Sequence, residues 1–482
     1  MPLLSPSITR QGGRLLLLMI SLLLLGGCLV GTQTTKRPMA EIGPDDGYAA
    51  RLSLFLHLNK SEGPGVRLEV AAFEIYGAGE WLPIAAGPLE IDSKQIGPTQ
   101  LFLGDRSVPT GQYQRLRFRV NKGLVLRENG QYEEIAASPF TVDLGLPASF
   151  SLESSDSRSL FFIWDVEQTV ENKTLRPVMI IVPQMRQLLT NLTYVSCPET
   201  NTIYEVRNDR NWVTASFGIK GRPTYLAIDP DPARRRLYVL ASRESTIKVV
   251  DLLSQRVVNF FRLPLSGLLT FMTISPDGNW AYVLEERLSY LSRIDLNTGR
   301  IAARVRLGHR PQYVSYLAEQ NLLAVSGGLT QSVSLLHPVD LSLVRTILTG
   351  NSPQGLLAAN NLLYIAESGD NTIAIFDLES NSSQSRLDIG AAPYRLLDTG
   401  NNIYVSNYED GSLSILLPRQ LGIVNEVHGL GRPREMAYDN THRRVYVAEE
   451  ETGELAIIDS TSNQFVGRIT LGARPFGLAV IQ

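Results

Sequence analysis

Four arginines stand directly before the proline of a short glycine-led motif: Arg222 in GRP, Arg310 in GHRP, Arg432 in GRP and Arg474 in GARP. Guanidiniums gathered at a concave mouth could bind a carboxylate or a sulfate-bearing ligand, since each presents a fixed fork of donors and concavity focuses the field. A second set is acidic: Glu244, Glu285, Glu286, Glu367, Asp370, Glu409, Asp410, Glu449, Glu450 and Glu451. The competing reading is that each arginine pairs with an acidic loop nearby and merely staples segments together, by exposed ion pairs that are individually weak. Which reading holds depends on the elements that carry these residues.

Other chemistry is harder to find. Five histidines, His57, His309, His337, His428 and His442, are scattered without metal-ligand spacing. G-x-S-x-G, H-E-x-x-H, C-x-x-C-H and G-x-x-x-x-G-K-[ST] do not occur. Pro276-Asp277-Gly278 and Asp229-Pro230-Asp231-Pro232 could hold calcium, but turn geometry alone favours these residues there. No catalytic residue, metal ligand or cofactor is therefore assigned. The net charge of -3, with no long block of one sign, favours neither nucleic acid nor an anionic lipid surface as a partner. Two cysteines, Cys28 and Cys197, leave little scope for a disulfide framework, and nothing local in VSCPET would lower the pKa of Cys197. Cys197 reads as a half-buried small residue.

The elements emerge from a repeat. Tyr194, Tyr238, Tyr282, Ala324, Tyr364, Tyr404 and Tyr446 fall in one register, with separations of 44, 44, 42, 40, 40 and 42 residues. A glycine-to-proline marker moves with them, as in Gly221-Arg222-Pro223, Gly350-Asn351-Ser352-Pro353 and Gly390-Ala391-Ala392-Pro393; Gly267-Leu268-Leu269 is a version without proline. Each unit holds four short apolar segments such as EMAYDN, RVYVAEE, ELAIIDS and FVGRITLG, with period-two alternation rich in Val, Ile and Tyr. Four strands in about 42 residues match a β-propeller blade. After Pro475 only FGLAVIQ remains, one strand, whereas Thr193 to Lys220 offers three. One plus three completes a seventh blade and closes the ring. In such a blade the loops before the first strand and between the second and third share a face. The four arginines should then surround the channel mouth, inside a ring of the acidic loops. The G-x-P, YV-x-N and final-Asp pattern over residues 193 to 482 resembles the YVTN-type β-propeller proteins of bacterial and archaeal envelopes. That resemblance implies a surface or periplasmic binding and scaffold protein. The asparagine of YV-x-N survives only at Asn407, so no role carries over on it.

Residues 48 to 188 lack the period but still read as β. In QYQRLRFRV, Leu116, Phe118 and Val120 would face a core and Arg115, Arg117 and Arg119 water. VPTGQYQRLRFRV, LFFIWDVEQTV and LRPVMIIV together resemble an uncharacterised envelope-lipoprotein domain, an immunoglobulin-like or transthyretin-like sandwich, with Trp164-Asp165 and Arg176-Pro177 at its last two motifs and Thr169 or Val170 near a serine slot. At the start, Arg10 and Arg14 precede an apolar run from Leu15 to Leu25 with no acid before Glu41, the pattern of an export signal. Those eleven residues are too few to cross a bilayer, which takes roughly 20. Leu25-Gly26-Gly27-Cys28 resembles the lipobox of bacterial lipoproteins, which implies cleavage before Cys28 and acylation of it. Leu29 is not the aspartate of an inner-membrane retention signal, which favours the outer membrane.

The expectation is an all-β chain: a lipoprotein signal peptide over 1–27, a flexible polar tether over 28–47, a β-sandwich over 48–188, and a seven-bladed propeller over 189–482. Closure comes from the C-terminal strand pairing with the first propeller strands. Its function would be a monomeric, lipid-anchored envelope module that binds an envelope protein or an anionic or glycan ligand at Arg222, Arg310, Arg432 and Arg474. The membrane contact is through Cys28. The alternative is a propeller enzyme of the lactonase or dehydrogenase type with a catalytic cluster at the channel mouth.

Overall fold

The computed structural model describes residues 50–481 apart from 61–62, 137, 172–173, 185–189, 264–267 and 419–421. The expected signal, tether and Cys28 lie outside the described residues. Within them the chain is all-β, with ten sheets.

Two larger sheets come first. One has the order Val178–Pro183, Ser157–Asp165, Ala50–Leu58, Leu101–Val108, and its central pair, Ala50–Leu58 with Ser157–Asp165, is parallel. The other joins Glu80–Asp92, Val66–Gly77, Gly111–Leu126 and Tyr132–Ala136, with Phe140–Leu152 also on Gly111–Leu126. Both sheets contribute to one apolar core. Period two places the side chains of Gly111–Leu126 as the sequence suggests: Leu116, Phe118 and Val120 are fully buried and Arg115 and Arg119 exposed. Thr169 is fully buried. Its hydroxyl accepts from Trp164 Nε1 at 2.7 Å and donates to the Asp165 carbonyl at 2.8 Å, which closes the turn.

Seven four-stranded antiparallel sheets follow. We number them as units in chain order. Unit 1 has Leu192–Cys197, Thr202–Arg207 and Trp212–Gly218. Units 2 to 7 span 223–262, 269–306, 311–348, 353–388, 393–428 and 433–470. The fourth strand of unit 1 comes from the far end of the chain: Leu478–Ile481 pairs with Leu192–Cys197, Thr193 opposite Val480 and Tyr194 opposite Ala479.

The second strand of each unit explains why these segments are so apolar. It lies inside its sheet with neighbouring units on both faces, so both sets of alternating side chains must be apolar. Leu237 and Val239 pack towards unit 1, against Tyr194, Ile203 and Phe217. Tyr238 and Leu240 pack towards unit 3, against Met272, Ala281 and Val283. Equivalent cores join units 3 and 4, 4 and 5, 5 and 6, and 6 and 7. A further core joins unit 7 back to unit 1 through Tyr446, Ala448, Val195 and Cys197, so the seven units form a cycle.

The repeat tyrosine fits this position because it fills space and still has a polar tip to satisfy. Tyr238 donates to Asp229 at 2.9 Å, Tyr282 to the Pro338 carbonyl at 3.0 Å, Tyr446 to Asn211 at 3.0 Å and Tyr404 to Asn463. The aspartate that ends the third strand is a turn device. Asp251, Asp295, Asp377 and Asp459 each accept from backbone N–H groups two or three residues on, at 2.7 to 3.2 Å.

The last unit-to-unit core also contains Phe55 and Phe161 from the first large sheet. The amino-terminal sheets are thereby seated on unit 1. Ser159 Oγ donates to Ser216 Oγ at 2.8 Å, Thr202 Oγ1 to Ser157 Oγ at 3.1 Å, and Trp212 Nε1 to the Pro98 carbonyl at 3.2 Å.

Candidate functional site

The glycine-to-proline marker is a backbone device. The residue before proline is left-handed at Arg222 (φ 63°), Arg310 (φ 55°), Ser352 (φ 52°), Ala392 (φ 55°) and Arg432 (φ 53°), although a following proline favours extended backbone there. Each such position carries strain of about 1–2 kcal/mol. What offsets it is the same hydrogen bond every time. The carbonyl of the pre-proline residue accepts from the N–H just after the second strand: Ser242 to Arg222 at 3.1 Å, Gly328 to Arg310 at 2.9 Å, Ser368 to Ser352 at 3.1 Å, Tyr408 to Ala392 at 3.0 Å and Glu450 to Arg432 at 3.2 Å. Since serine and alanine serve as well, the turn does not require the arginine side chain.

Arg222, Arg310 and Arg432 occupy these equivalent turns, Arg474 precedes the closing strand without the left-handed φ, and all four are exposed. Arg310 reaches Glu286 of unit 3 at 3.1 Å, and Arg432 reaches Glu409 of unit 6 at 3.4 Å. Arg474 meets Glu199 at 3.5 Å in the unit that it closes. Arg222 is held by its backbone, its N–H donating to Asn201 Oδ1 at 2.8 Å. These side-chain pairs are exposed, and such pairs contribute at most about 1 kcal/mol.

The acidic loops need a correction. Glu285, Glu367 and Glu449, expected in an outer acidic ring, are fully buried. They end the second strand at the position of the YV-x-N asparagine and face inward, where an arginine of the fourth strand meets each. Arg304 is 2.8 Å from Glu285, Arg386 2.8 Å from Glu367 and Arg468 2.7 Å from Glu449. Glu367 also accepts from Gly350 N–H at 2.6 Å and Glu449 from Gly431 N–H at 2.9 Å, so these carboxylates tie each unit's own loops. Asn407 fills the same slot in unit 6, donating to Ser412 at 3.0 Å and Ser414 at 2.8 Å.

Residues that sequence reasoning missed lie two positions after each proline, or after Leu269 where unit 3 lacks it. There the first strands converge, and the series runs Tyr225, Phe271, Tyr313, Gly355, Arg395, Glu435, Gly477. The rings of Tyr225 and Phe271 are 4.0 Å apart and those of Phe271 and Tyr313 4.1 Å. The Arg395 guanidinium lies 4.7 Å from the Tyr313 ring and 5.2 Å from that of Phe271, a contact that crosses from unit 6 to unit 3. Arg395 pairs with Glu435 at 3.3 Å, their side chains 8% and 14% exposed. The axis of the cycle is thus filled. Gly355 and Gly477 leave the room: a Cβ would stand 2.6 Å from the Tyr394 carbonyl at the first and 2.3 Å from that of Thr224 at the second. Burial opposes the charge of Arg395, yet Tyr394, Glu435 and Tyr313 outweigh it and hold its pKa above the ordinary value. Burial also pushes the Glu435 carboxyl up, with Arg395 opposing. This carboxylate is desolvated but partnered.

One residue nearer the proline, units 6, 7 and 1 contribute Tyr394, Arg434 and Phe476. Arg434 lies 4.0 Å over the Phe476 ring, donates to the Tyr394 hydroxyl at 3.2 Å and to Glu450 at 2.6 Å. Tyr408 donates to the same Glu450 oxygen at 2.9 Å, and Arg432 sits 5.5 Å from the Tyr408 ring. Burial alone would raise the Glu450 carboxyl, but Arg434, the Tyr408 hydroxyl and the nearby Arg474 hold it below the usual range. The structure therefore brings Arg432 and Arg474 to one cation–aromatic cluster and leaves Arg222 and Arg310 with other units. The missed signal was opposite charge at a fixed offset in adjacent repeats, Arg395 and Glu435.

Among the described residues no group of three or more His, Cys, Asp or Glu is placed to hold a metal. Asp229 and Asp277 serve their own turns, accepting from Asp231 N–H at 3.0 Å and Asn279 N–H at 3.1 Å. Cys197 is fully rather than half buried, because it fills the YV-x-N slot of unit 1 against unit 7; burial pushes its thiol pKa well up.

No protein-family model matches this chain, and neither does any curated protein. Solved structures do resemble it. A functionally unknown protein from Desulfotomaculum acetoxidans aligns at a TM-score of 0.55 and 15% identity, over 61% of this chain and 99% of that one. The dihydro-heme d1 dehydrogenase NirN aligns at 0.46 and 13%, over 61% and 76%, and Kuenenia stuttgartiensis hydrazine synthase at 0.45 and 16%, over 53% and 88%. At such identities the likeness concerns fold alone. The cycle of four-stranded sheets describes a β-propeller-like, all-β chain.

Proposed function

We propose that this chain is a lipid-anchored cell-envelope binding protein, attached through Cys28, in which a sandwich-type domain supports a seven-bladed YVTN-type propeller. Its propeller face binds an anionic ligand, a carboxylate- or sulfate-bearing glycan. The observation that carries this reading is the cluster of Arg432, Arg434 and Arg474 with Tyr394, Tyr408 and Phe476 beside a filled axis. Aromatic rings offer flat apolar faces to a sugar ring, and guanidiniums match a carboxylate or sulfate fork. The exposed pairs of Arg432 with Glu409 and Arg474 with Glu199 are weak enough for a ligand anion to replace. Arg434, held by Glu450, would stay and position the rings.

The test is binding of the full chain to uronic-acid-containing and sulfated glycans. Arg432→Ala with Arg474→Ala should weaken that binding by about tenfold or more while the melting temperature holds, because neither arginine supports its turn. No anionic glycan bound, or binding unmoved by the double substitution, would refute the proposal. A lowered melting temperature with unchanged binding would return these arginines to a stapling role.

A further inference from the structure

The same face has a second character in units 3 and 4. In units 5 to 7 the loop after the second strand carries Asp370, then Glu409 and Asp410, then Glu450 and Glu451. In units 3 and 4 the corresponding loops carry Leu288 and Leu329, and the proline-less turn before unit 3 presents Leu268. These leucines are 40%, 64% and 44% exposed. Leu268 and Leu329 line a groove of about 500 Å³ together with Arg287, His309 and Arg310, a volume within the range of small-ligand sites. Its one carboxylate, Glu286, is engaged by Arg310 at 3.1 Å.

We propose that this groove binds a single-chain anionic amphiphile, its acyl chain along Leu268 and Leu329 and its carboxylate or phosphate against Arg287, His309 and Arg310. Exposed leucines beside three basic side chains are complementary to such a molecule and to no purely polar ligand. The occupant is one molecule rather than a membrane plane. A flat anionic surface laid on this face would also meet the acidic loops of units 5 to 7, whereas a groove between units 3 and 4 admits one chain and leaves those loops in water. This site is separate from the cluster on units 6, 7 and 1.

Calorimetric titration of the full chain with laurate, below the concentration at which it forms micelles, tests the proposal. Saturable binding is expected. Arg287→Glu and Leu329→Asp should each weaken it about tenfold or more, and Asp370→Ala should leave it within about twofold. Unchanged far-ultraviolet dichroism would show that these loop substitutions leave the fold intact. The proposal is overturned if laurate does not bind, if binding survives both substitutions, if uncharged dodecyl maltoside binds as well, or if phosphatidylglycerol vesicles alone elicit a response.

Discussion

The outermost strands of units 1 and 2 are similar lengths of chain and meet opposite fates. Trp212–Gly218 ends its sheet and is buried from Val213 to Phe217, whereas Arg256–Arg262 ends the next sheet with Val257, Val258 and Phe260 exposed. A bare sheet edge presents unpaired N–H and C=O groups. In unit 1 the amino-terminal sheets cover them. Gln100 Nε2 donates to the Val213 carbonyl and its Oε1 accepts the Val213 N–H, both at 3.0 Å, and Gln184 Oε1 accepts the Ser216 N–H at 3.0 Å. Side-chain amides thus take the place of a fifth strand. Position in the repeat therefore does not determine environment; the neighbouring sheets do.

Two glycines carry the largest difference between covered and open edges. At Gly218 an added Cβ would lie 1.8 Å from the Ser155 carbonyl oxygen, which is main chain and cannot swing aside. At Gly467, in the outer strand of unit 7, an added Cβ meets nothing within 4 Å. Gly218→Val is expected to lower stability by about 3 kcal/mol, and Gly467→Val to change it by no more than about 0.5 kcal/mol. Equal shifts in denaturant midpoint for the two would mean that the amino-terminal sheets do not press on unit 1.

A pH-dependent effect of comparable size is tied to the same seam. His57 is buried with its ring 4.6 Å from that of Trp212, and burial, then the charge of Arg210, lowers its pKa from 6.5 to about 4. Between these values the unfolded chain binds a proton that the folded chain refuses. The contribution is therefore complete above pH 6.5 and is lost as pH falls towards 4, by as much as about 3 kcal/mol. His57→Phe should flatten this part of the profile in melts from pH 7 to pH 4.5. A profile identical to that of the parent would exclude His57 as its source.

Much of this architecture could be read from residue spacing. The tyrosine register and the pre-proline turns recur because each unit solves one packing problem with one set of backbone hydrogen bonds, and periodicity reports such solutions directly. What differs between units could not be read that way. Arg395 meets Phe271 across the axis, and Gln100 meets Val213 across 113 residues; neither contact leaves a local pattern. The buried acids were misplaced for a related reason. Glu285 and Glu286 are adjacent in sequence, but one ends a strand facing in and the other begins a loop facing out, a change that a single step along a pleat produces.

Loss of the amide caps should come next in size. Gln100→Ala leaves the Val213 N–H and C=O without these partners in a covered seam, at a cost of about 1–2 kcal/mol. Hydrogen exchange at the Val213 amide should accelerate accordingly, and the outer-strand amides of unit 2 should not respond.

The smallest effect belongs to the exposed outer strand of unit 2. Val258 and Phe260 point into solvent from a strand that no domain covers, so neither stabilises the fold by burial. Val258→Thr with Phe260→Thr should move the denaturant midpoint by no more than about 0.5 kcal/mol equivalent, because both residues keep the β-branched or apolar-to-β-former character that a strand accepts. In unit 1 the corresponding exchange, Val213→Thr with Phe217→Thr, places hydroxyls among Phe55, Phe161 and Val206 or among Tyr194 and Ile203, and should cost several times more. If the unit 2 pair proved as costly as the unit 1 pair, that outer strand would have to be covered in solution by another surface, and the contrast between the two edges would reduce to which partner covers each.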